Sequence, residues 1–252
     1  MTFHNPLLAA LDQQRPALGC FLAIPSAVAA EQVATVGFDY VGVDLQHGAI
    51  GYSEALSLFP IIQAGGCAPL ARLNANDPNE IGKILDAGAH GVIVPLVNTA
   101  EDAERAVAAC RFPPRGRRSF GPVRAATAMG SREIADLEQV ACFAMVETAD
   151  GLANLDEIAA VPGLTGLYVG PADLALALGL SPAYEPAADE HRVATESIRT
   201  AAKRHGITAA VHCDGGACGT RRLAQGFDMV TLGTDLAHLR QRLDAELGHA
   251  RG

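Results

Sequence analysis

The sequence has no tryptophan, few aromatic residues (5%) and only two lysines among its 252 residues. Lys83 and Lys203 both lie in segments with helical periodicity. A lysine at a strand end that forms a Schiff base with a carbonyl substrate is therefore not expected. If the protein acts on a carbonyl carbon, we expect a metal ion to polarise it. Because aromatic side chains are scarce, the core has to be packed with Ala, Val, Ile and Leu.

The six cysteines include no Cys-x-x-Cys pair and no spacing typical of a zinc site. Several lie in apolar runs, where a free thiol packs as a small hydrophobic side chain. We therefore predict reduced, buried cysteines and a cytoplasmic protein. No apolar run reaches the roughly 18 residues of a transmembrane helix. The N-terminal Met-Thr-Phe-His-Asn-Pro lacks the charged start and apolar stretch of a signal peptide.

The formal net charge of −9 indicates an acidic surface. Nucleic acids and anionic membranes both bind basic surfaces, so neither is an expected partner. The one basic cluster is the short run Arg-Gly-Arg-Arg at 115–118. We interpret it either as a solvated loop or as an anion-binding rim near the functional site.

A repeating order of helical segment, glycine and short apolar run extends along the chain. Because these runs are continuously apolar, they are typical of parallel strands covered by helices. The length also suits a (β/α)8 barrel, which needs about 250 residues. We therefore predict an α/β protein in which residues 1–252 form one (β/α)8 TIM barrel domain. The eight predicted strands follow Gly37, Gly65, Gly88, Gly163, Gly206 and Gly226, or lie at Ala17 to Ile24 and Val140 to Val146.

The same pattern predicts where helices begin and which side chains they bury. Asp77 and Pro78 are expected as the N-cap and first residue of one helix, and Thr99 as the start of the next. Segments 111–139 and 180–189 interrupt the order, and such long loops in a barrel are more often functional than idle. The inward-facing helix positions predicted from the 3.6-residue period are Ile81, Ile84, Leu85, Ala103, Ala106, Val107, Cys110, Val193, Ile198, Ala201 and Ala202.

Two carboxylates follow neighbouring strands, where a barrel places its functional residues. Glu147 stands in Ala-Met-Val-Glu-Thr and Asp173 in Val-Gly-Pro-Ala-Asp. Because hard divalent cations take oxygen ligands, the pair predicts a metal site. Asp173 alone is also compatible with a plain helix N-cap. In either case the amides at that helix start can bind a substrate carboxylate.

Three more strand-end residues are candidates for catalysis. His47 can act as a general base near neutral pH, with Asp44 holding its tautomer. The alternative is a turn histidine, with Asp44 only capping the strand end. Arg72 either stabilises an enolate or alkoxide oxygen or forms a structural salt bridge with a strand-end acid. His212 is a rim candidate outside this set, and the histidines predicted at helix surfaces or strand starts are His90, His191, His205, His238 and His249.

With these residues assembled, the sequence resembles the HpcH/HpaI aldolase family of metal-dependent pyruvate aldolases. The resemblance extends from Leu18 to about Arg242. Its strength lies in the order and spacing of several short motifs. These motifs are Gly37-Phe-Asp-Tyr-Val, Asp44-x-x-His47, Arg72, Asn76-Asp77-Pro78, Val94-Pro95, Phe112-Pro113-Pro114-x-Gly116, Glu147-Thr148 and Gly170-Pro171-Ala172-Asp173-Leu174.

The resemblance implies a fold, a metal site and residue roles. It implies a (β/α)8 barrel, usually assembled as a hexamer (a trimer of dimers), whose last helix packs on a neighbouring barrel. Glu147 and Asp173 would bind Mg²⁺, Mn²⁺ or Co²⁺. His47, tied to Asp44, would move protons through water, and Arg72 would steady the pyruvate enolate. The pyruvate carboxylate would be bound by the backbone of Gly170, Pro171, Ala172 and Asp173.

Two positions depart from the family pattern. Gln46 stands where many relatives carry Glu, which removes a charge beside His47. Met145 stands where many relatives carry Gln. Since Met145 and Glu147 are two apart and point to the same side of their strand, a polar contact near the metal is lost. Both changes affect the substrate more than the type of reaction.

The resulting hypothesis is a metal-dependent aldolase. It would reversibly cleave a 4-hydroxy-2-oxo acid to an aldehyde and pyruvate or hydroxypyruvate. One alternative is a citrate-lyase-like enzyme acting on a CoA thioester, for which only the 115–118 cluster could supply a phosphate-binding groove. The other is a barrel that binds keto acids without catalysis.

Overall fold

The computed structural model describes residues 3–252. Eight parallel strands pair in sequence order, and the last pairs with the first, so the sheet closes into a barrel. The predicted (β/α)8 TIM barrel is confirmed. The strands are β1 (Ala17–Leu22), β2 (Tyr40–Asp44), β3 (Ala68–Arg72), β4 (Gly91–Val94), β5 (Ala141–Val146), β6 (Gly166–Val169), β7 (Thr208–Cys213) and β8 (Met229–Thr234).

Helices cover the outside of the barrel. No helix among the described residues is long and apolar enough to cross a membrane. The helices are α1 (Pro6–Asp12), α2 (Ala27–Ala34), α3 (Tyr52–Ala64), α4 (Pro78–Asp86), α5 (Ala100–Cys110), α6 (Ala125–Ala128), α7 (Ile134–Leu137), α8 (Ala149–Ala153), α9 (Leu155–Ala159), α10 (Pro171–Ala177), α11 (Asp189–Arg204), α12 (Gly216–Ala224) and α13 (Asp235–Arg251).

The core has two layers because the strands are apolar on both faces. One layer lies between strands and helices and includes the predicted inward positions of α4 and α5. The other fills the barrel interior and includes Phe21, Tyr40, Phe143, Met145 and Tyr168. All six cysteines are buried and unbridged, as predicted.

Local signals set several boundaries correctly. The Asp77 side chain accepts the Asn79 N–H at the start of α4, and Thr99 forms a reciprocal cap with Asp102 at the start of α5. Gly88 has a φ of 99°, the left-handed conformation expected where a helix ends before a strand. Gly65 differs, because its φ is −73° and a Cβ there would lie 2.5 Å from the Cβ of Ala34. That glycine permits the close approach of α2 and α3.

Two predictions about α11 are wrong. Val193 was expected to face inward but is 54% exposed, and His191 was expected at a helix surface but is buried. The buried face of α11 consists of positions 191, 194, 195, 198, 201 and 202, and Val193 lies outside that stripe. His191 Nε2 lies 2.9 Å from the Pro171 carbonyl oxygen, which ties α11 to the start of α10.

The structure also corrects the interpretation of segment 111–139 as a loop with an anion-binding rim near the site. It joins α5 to β5, so it leads into the amino end of a strand, at the opposite end of the barrel from the strand carboxyl ends. Arg118 is buried and its Nη2 lies 2.7 Å from Asp86 Oδ1, while Arg115 forms an ion pair with Glu138. The basic cluster therefore stabilises this connection and is not an anion-binding rim near the site.

Candidate active site

A cavity of about 240 Å³ opens at the carboxyl ends of the strands. It brings together every residue that the sequence analysis proposed for the site. A larger groove, about 640 Å³ between α8–α9 and α11, contains no strand-end residue. The predicted residues in the smaller cavity are Asp44, His47, Arg72, Glu147, Gly170, Pro171, Ala172 and Asp173, and the wall is completed by Ala23, Met145, Tyr184, His212, Thr234 and Leu236.

Asp44 and Arg72 form a buried, two-point ion pair. They are register partners at the ends of β2 and β3. Arg72 Nε lies 2.8 Å from Asp44 Oδ1, and Arg72 Nη2 lies 2.6 Å from Oδ2. Burial lowers the pKa of Arg72, but the hydrogen bonds and charge of Asp44, with smaller contributions from Tyr168 and Glu147, together raise the net pKa. Arg72 is therefore a permanent positive charge, and its Nη1 makes no hydrogen bond to a residue within 3–252.

The predicted contact between Asp44 and the His47 imidazole is replaced by backbone contacts. Asp44 Oδ1 accepts the N–H groups of Gln46 and His47, each at 3.2 Å. Asp44 thus fixes the turn that carries His47, while Arg72 binds both oxygens of its carboxylate. His47 is exposed, and no described residue hydrogen-bonds to its ring. The imidazole can therefore contact solvent or substrate directly.

Glu147 directly follows β5 and is only 2% exposed. Its Oε1 accepts the Leu96 N–H at 3.0 Å, and Leu96 has a left-handed φ of 54°. Burial, with the charge of Asp173 as a further cause, raises the pKa of Glu147 to about 7, although the Leu96 hydrogen bond and Arg72 lower it. Glycine at position 170 leaves room for this carboxylate, because a Cβ there would lie 2.1 Å from Glu147 Oε2 and would displace it.

Asp173 is not the N-cap of α10. Gly170 is the N-cap and Pro171 the first helical residue, which places Asp173 two residues further on, in the first turn. The side chain is exposed and not committed to capping. Pro171 has no N–H, so it cannot donate to an anion here, whereas the amides of Ala172 and Asp173 in the first turn can. The interpretation of Asp173 as a plain cap is wrong.

The residues present fit a hard divalent cation. A buried glutamate and a second carboxylate share the cavity, and the charge of Asp173 helps to raise the pKa of Glu147, an effect that a bound cation would oppose. Among residues 3–252 there is no group of three or more His, Cys, Asp or Glu side chains placed to hold a metal. Two protein carboxylates, with substrate and water oxygens, are an ordinary set for Mg²⁺.

The cavity wall contains residues that the sequence analysis did not include. The sequence indicates His212 as a rim residue, but it is 6% exposed and lies in the wall, and Tyr184 reaches in from the 180–189 segment. Ala210 belongs to the interior layer, so the two-residue period of β7 could have placed His212 on the same inner face. Leu96 and Tyr184 lie in loops and carry no such period.

The fold and the site define the class of protein: a closed (β/α)8 barrel whose mouth carries two acids, a permanently charged arginine and an exposed histidine. The sequence profile of the HpcH/HpaI aldolase/citrate lyase family matches residues 17–241. The chain belongs to this family.

Individual relatives agree with this assignment. The chain is 39% identical to the hydroxypyruvate/pyruvate aldolase of Rhizorhabdus wittichii over 93% of this chain and 94% of that one. It is 32% identical to the 5-keto-4-deoxy-D-glucarate aldolase of Shigella dysenteriae, over 94% and 93%. A crystal structure of an HpcH/HpaI aldolase/citrate lyase family protein from Burkholderia cenocepacia superimposes with a TM-score of 0.92 at 30% identity, covering 99% of this chain and all of that one.

Proposed function

We propose that the protein is a divalent-metal-dependent aldolase. It reversibly cleaves a 4-hydroxy-2-oxo acid to an aldehyde and either pyruvate or hydroxypyruvate. The observation that carries this proposal is the convergence of Glu147, Asp173, Arg72 and His47 on one cavity at the strand carboxyl ends. The names of two relatives, hydroxypyruvate/pyruvate aldolase and 5-keto-4-deoxy-D-glucarate aldolase, support the same type of reaction.

Glu147 and Asp173 would hold the Mg²⁺, Mn²⁺ or Co²⁺ ion. When bound, such an ion supplies Lewis acidity toward the 2-oxo group of the substrate. The carboxylate of the keto acid would accept hydrogen bonds from the amides of Ala172 and Asp173, at the N-terminal turn of α10.

Arg72 and His47 would act on the reacting atoms. Asp44 holds the Arg72 guanidinium in place, which leaves Nη1 to stabilise the enolate oxygen that develops when C3–C4 breaks. His47 would exchange the proton of the 4-hydroxyl through a water molecule. Because Met145 is fully buried in the wall, it contributes packing rather than a polar contact to the substrate.

The test is an aldol and retro-aldol screen of pyruvate and hydroxypyruvate against a panel of aldehydes. We expect carbon–carbon bond formation with Mn²⁺ or Mg²⁺, its loss in EDTA and its return when metal is added. Calorimetric titration with Mn²⁺ should show tighter binding to the wild type than to Glu147→Gln. Glu157→Gln, an exposed change on α9, is the control. Full activity in a verified metal-free protein would contradict the proposal.

The two alternatives make different predictions. A non-catalytic keto-acid barrel would bind pyruvate in D₂O without placing deuterium in its methyl group, whereas an aldolase that forms the enolate would do so. The CoA thioester alternative has lost its structural support, since Arg115 and Arg118 are engaged with Glu138 and Asp86 away from the cavity.

We further propose a homo-oligomer, a hexamer built as a trimer of dimers as the family resemblance implies. In α13 only Asp235 is buried, so the helix leaves its apolar positions uncovered along most of its length. The proposed partner is another copy of this chain, and nucleic acid is not an expected partner. The uncovered positions are Leu236, Leu239, Leu243 and Leu247, which are 48–56% exposed.

A further inference from the structure

The cavity wall contains a buried imidazole for which the proposed reaction has no role. His212 lies near the end of β7 and faces the same cavity as Arg72. Its ring makes an edge contact with Phe21, with centroids 5.0 Å apart, and stacks on Tyr184 at 5.5 Å. Contacts with two aromatic rings fix the orientation of the imidazole.

A chain of three hydroxyl groups leads from the barrel interior to His212. Tyr40 Oη lies 2.7 Å from Thr231 Oγ1, which lies 2.5 Å from Tyr168 Oη. Tyr168 Oη lies 3.3 Å from His212 Nδ1. All three hydroxyl residues are fully buried. Gly19 makes room for the far end of the chain, because a Cβ there would lie 2.3 Å from the Tyr40 ring.

The number of hydroxyl protons determines the tautomer of His212. This series contains three hydrogen bonds and three hydroxyl protons. Donation from Tyr40 to Thr231, from Thr231 to Tyr168 and from Tyr168 to Nδ1 therefore supplies one proton to each hydrogen bond. With a further proton on Nδ1 there would be four donors for three hydrogen bonds, and one buried donor would have no acceptor. Because an unmade buried hydrogen bond is costly, the imidazole proton belongs on Nε2.

The protonated nitrogen faces the substrate space. His212 lines the cavity. Its Nε2 has no hydrogen-bond partner among residues 3–252 and is not enclosed by them, so it is accessible from the cavity. Burial and the charge of Arg72 lower the pKa of His212 to about 3, although Asp44 raises it. The His212 imidazole is thus an uncharged donor near neutral pH.

We propose that His212 is a specificity residue whose Nε2–H donates a hydrogen bond to a hydroxyl oxygen of the substrate. Tyr168, Thr231 and Tyr40 are positioning residues that hold its tautomer. An uncharged donor suits an uncharged acceptor, while Arg72 and the α10 amides serve the charged oxygens. The inference rests on the proposed aldolase function. The hydroxyl belongs either to C3 of a 3-hydroxy-2-oxo acid or to the aldehyde.

Paired substrates distinguish these two sources. With acetaldehyde as acceptor, kcat/KM is compared for hydroxypyruvate and pyruvate; with pyruvate as donor, it is compared for glycolaldehyde and acetaldehyde. His212→Phe keeps a flat ring between Phe21 and Tyr184 but removes the donor. We expect it to lose roughly 3- to 10-fold in kcat/KM for the hydroxylated member of one pair only, the value of one neutral hydrogen bond. His212→Gln, which retains an N–H donor, should recover part of the loss.

Two further variants test the positioning role and the specificity of the effect. Tyr168→Phe removes the last hydroxyl of the chain and should weaken the same discrimination, because the tautomer is no longer held. His205→Phe, at an exposed histidine that follows α11, should leave all four substrate combinations unchanged. An equal fall for every substrate in His212→Phe would show that the ring only packs, and would overturn the inference.

Nitrogen NMR of the Mg²⁺-loaded protein gives an answer that does not depend on turnover. The His212 signals are identified by their disappearance in His212→Phe. We expect a proton on Nε2 and none on Nδ1, and a larger shift of the Nε2 signal with the hydroxylated ligand than with its partner. A proton on Nδ1, or equal shifts, would overturn the inference. A wild type that is inactive with all substrate pairs would instead contradict the proposed aldolase function.

Discussion

Gly170 is important to the site because it has no side chain. Its φ of −94° is open to any residue, so the requirement for glycine comes from space and not from backbone strain. An added Cβ would lie 2.1 Å from Glu147 Oε2, and the carboxylate would have to move. The other oxygen of Glu147 accepts the Leu96 N–H, so a displacement of the carboxylate disturbs that hydrogen bond.

Gly170→Ala is therefore expected to weaken Mn²⁺ binding by about 10- to 100-fold, as loss of a supporting contact around a metal ligand does. Aldol activity should fall with it, while the melting temperature changes little. Titration calorimetry and the aldol assay measure the two effects. Gly82→Ala, in the middle of α4 where a Cβ has open space, is the matched control. Unchanged Mn²⁺ affinity in Gly170→Ala would contradict the assignment of Glu147 as a ligand.

His90 links stability to pH. It is buried at the start of β4, and neither ring nitrogen has a partner among residues 3–252. Burial, and then the charge of Arg124, lowers its pKa to about 4. Because the unfolded chain takes up the proton first, the contribution of His90 to stability is complete above its unfolded pKa of about 6.5. It is lost as the pH falls toward the folded value.

His90→Leu should remove this part of the pH dependence. At pH 5 the wild type is expected to lose about 2 kcal/mol relative to pH 7 through His90 alone, which follows from the linkage of the two pKa values. Urea unfolding of both proteins at pH 7 and pH 5 measures the difference. His4→Leu, at an exposed histidine, serves as the reference. An equal loss of stability at pH 5 in wild type and His90→Leu would show that His90 is protonated in the folded protein.

At the scale of single elements, the features that could be predicted were local. Asp77 and Thr99 mark helix starts because a cap depends on the few residues that follow it. Val193 and His191 on α11 were wrongly assigned, because helical periodicity defines a stripe but small shifts in its phase exchange neighbouring positions. Similarly, α10 begins one turn earlier than an N-cap at Asp173 would require, since Gly170 and Pro171 start it.

Pairings between elements could not be read from the sequence. The partner of Asp44 is Arg72 because β2 and β3 lie in register, and register depends on the closed sheet rather than on either strand alone. The link between Tyr168 and His212 has the same origin, as it crosses from β6 to β7. For segment 111–139, an anion-binding rim near the site was one interpretation of the basic cluster, because loop composition does not reveal which elements the loop joins.

For the whole molecule, closure of the barrel explains why so much of the site was predictable. In a closed parallel barrel every strand ends at the same rim. A charged residue that follows an apolar strand, such as Arg72 or Glu147, must therefore meet the others there. The topology supplies the long-range information, so the sequence needed only to indicate eight strands and their last residues.

The exposed leucines of α13 lead to a prediction about assembly. Burying a fully exposed leucine is worth about 1.5–3 kcal/mol, and covering these half-exposed leucines contributes a part of that. Charges at Leu239 and Leu243 should therefore weaken association. We expect the wild type to sediment as an oligomer of the 26.1 kDa chain and the double variant Leu239→Asp/Leu243→Asp as smaller species. Gln241→Glu, a polar position on the same exposed helix, is the control. A monomeric wild type, or an unchanged mass in the double variant, would show that α13 is not an interface. Because Leu236 also lines the active-site cavity, dissociation is expected to lower aldolase activity as well.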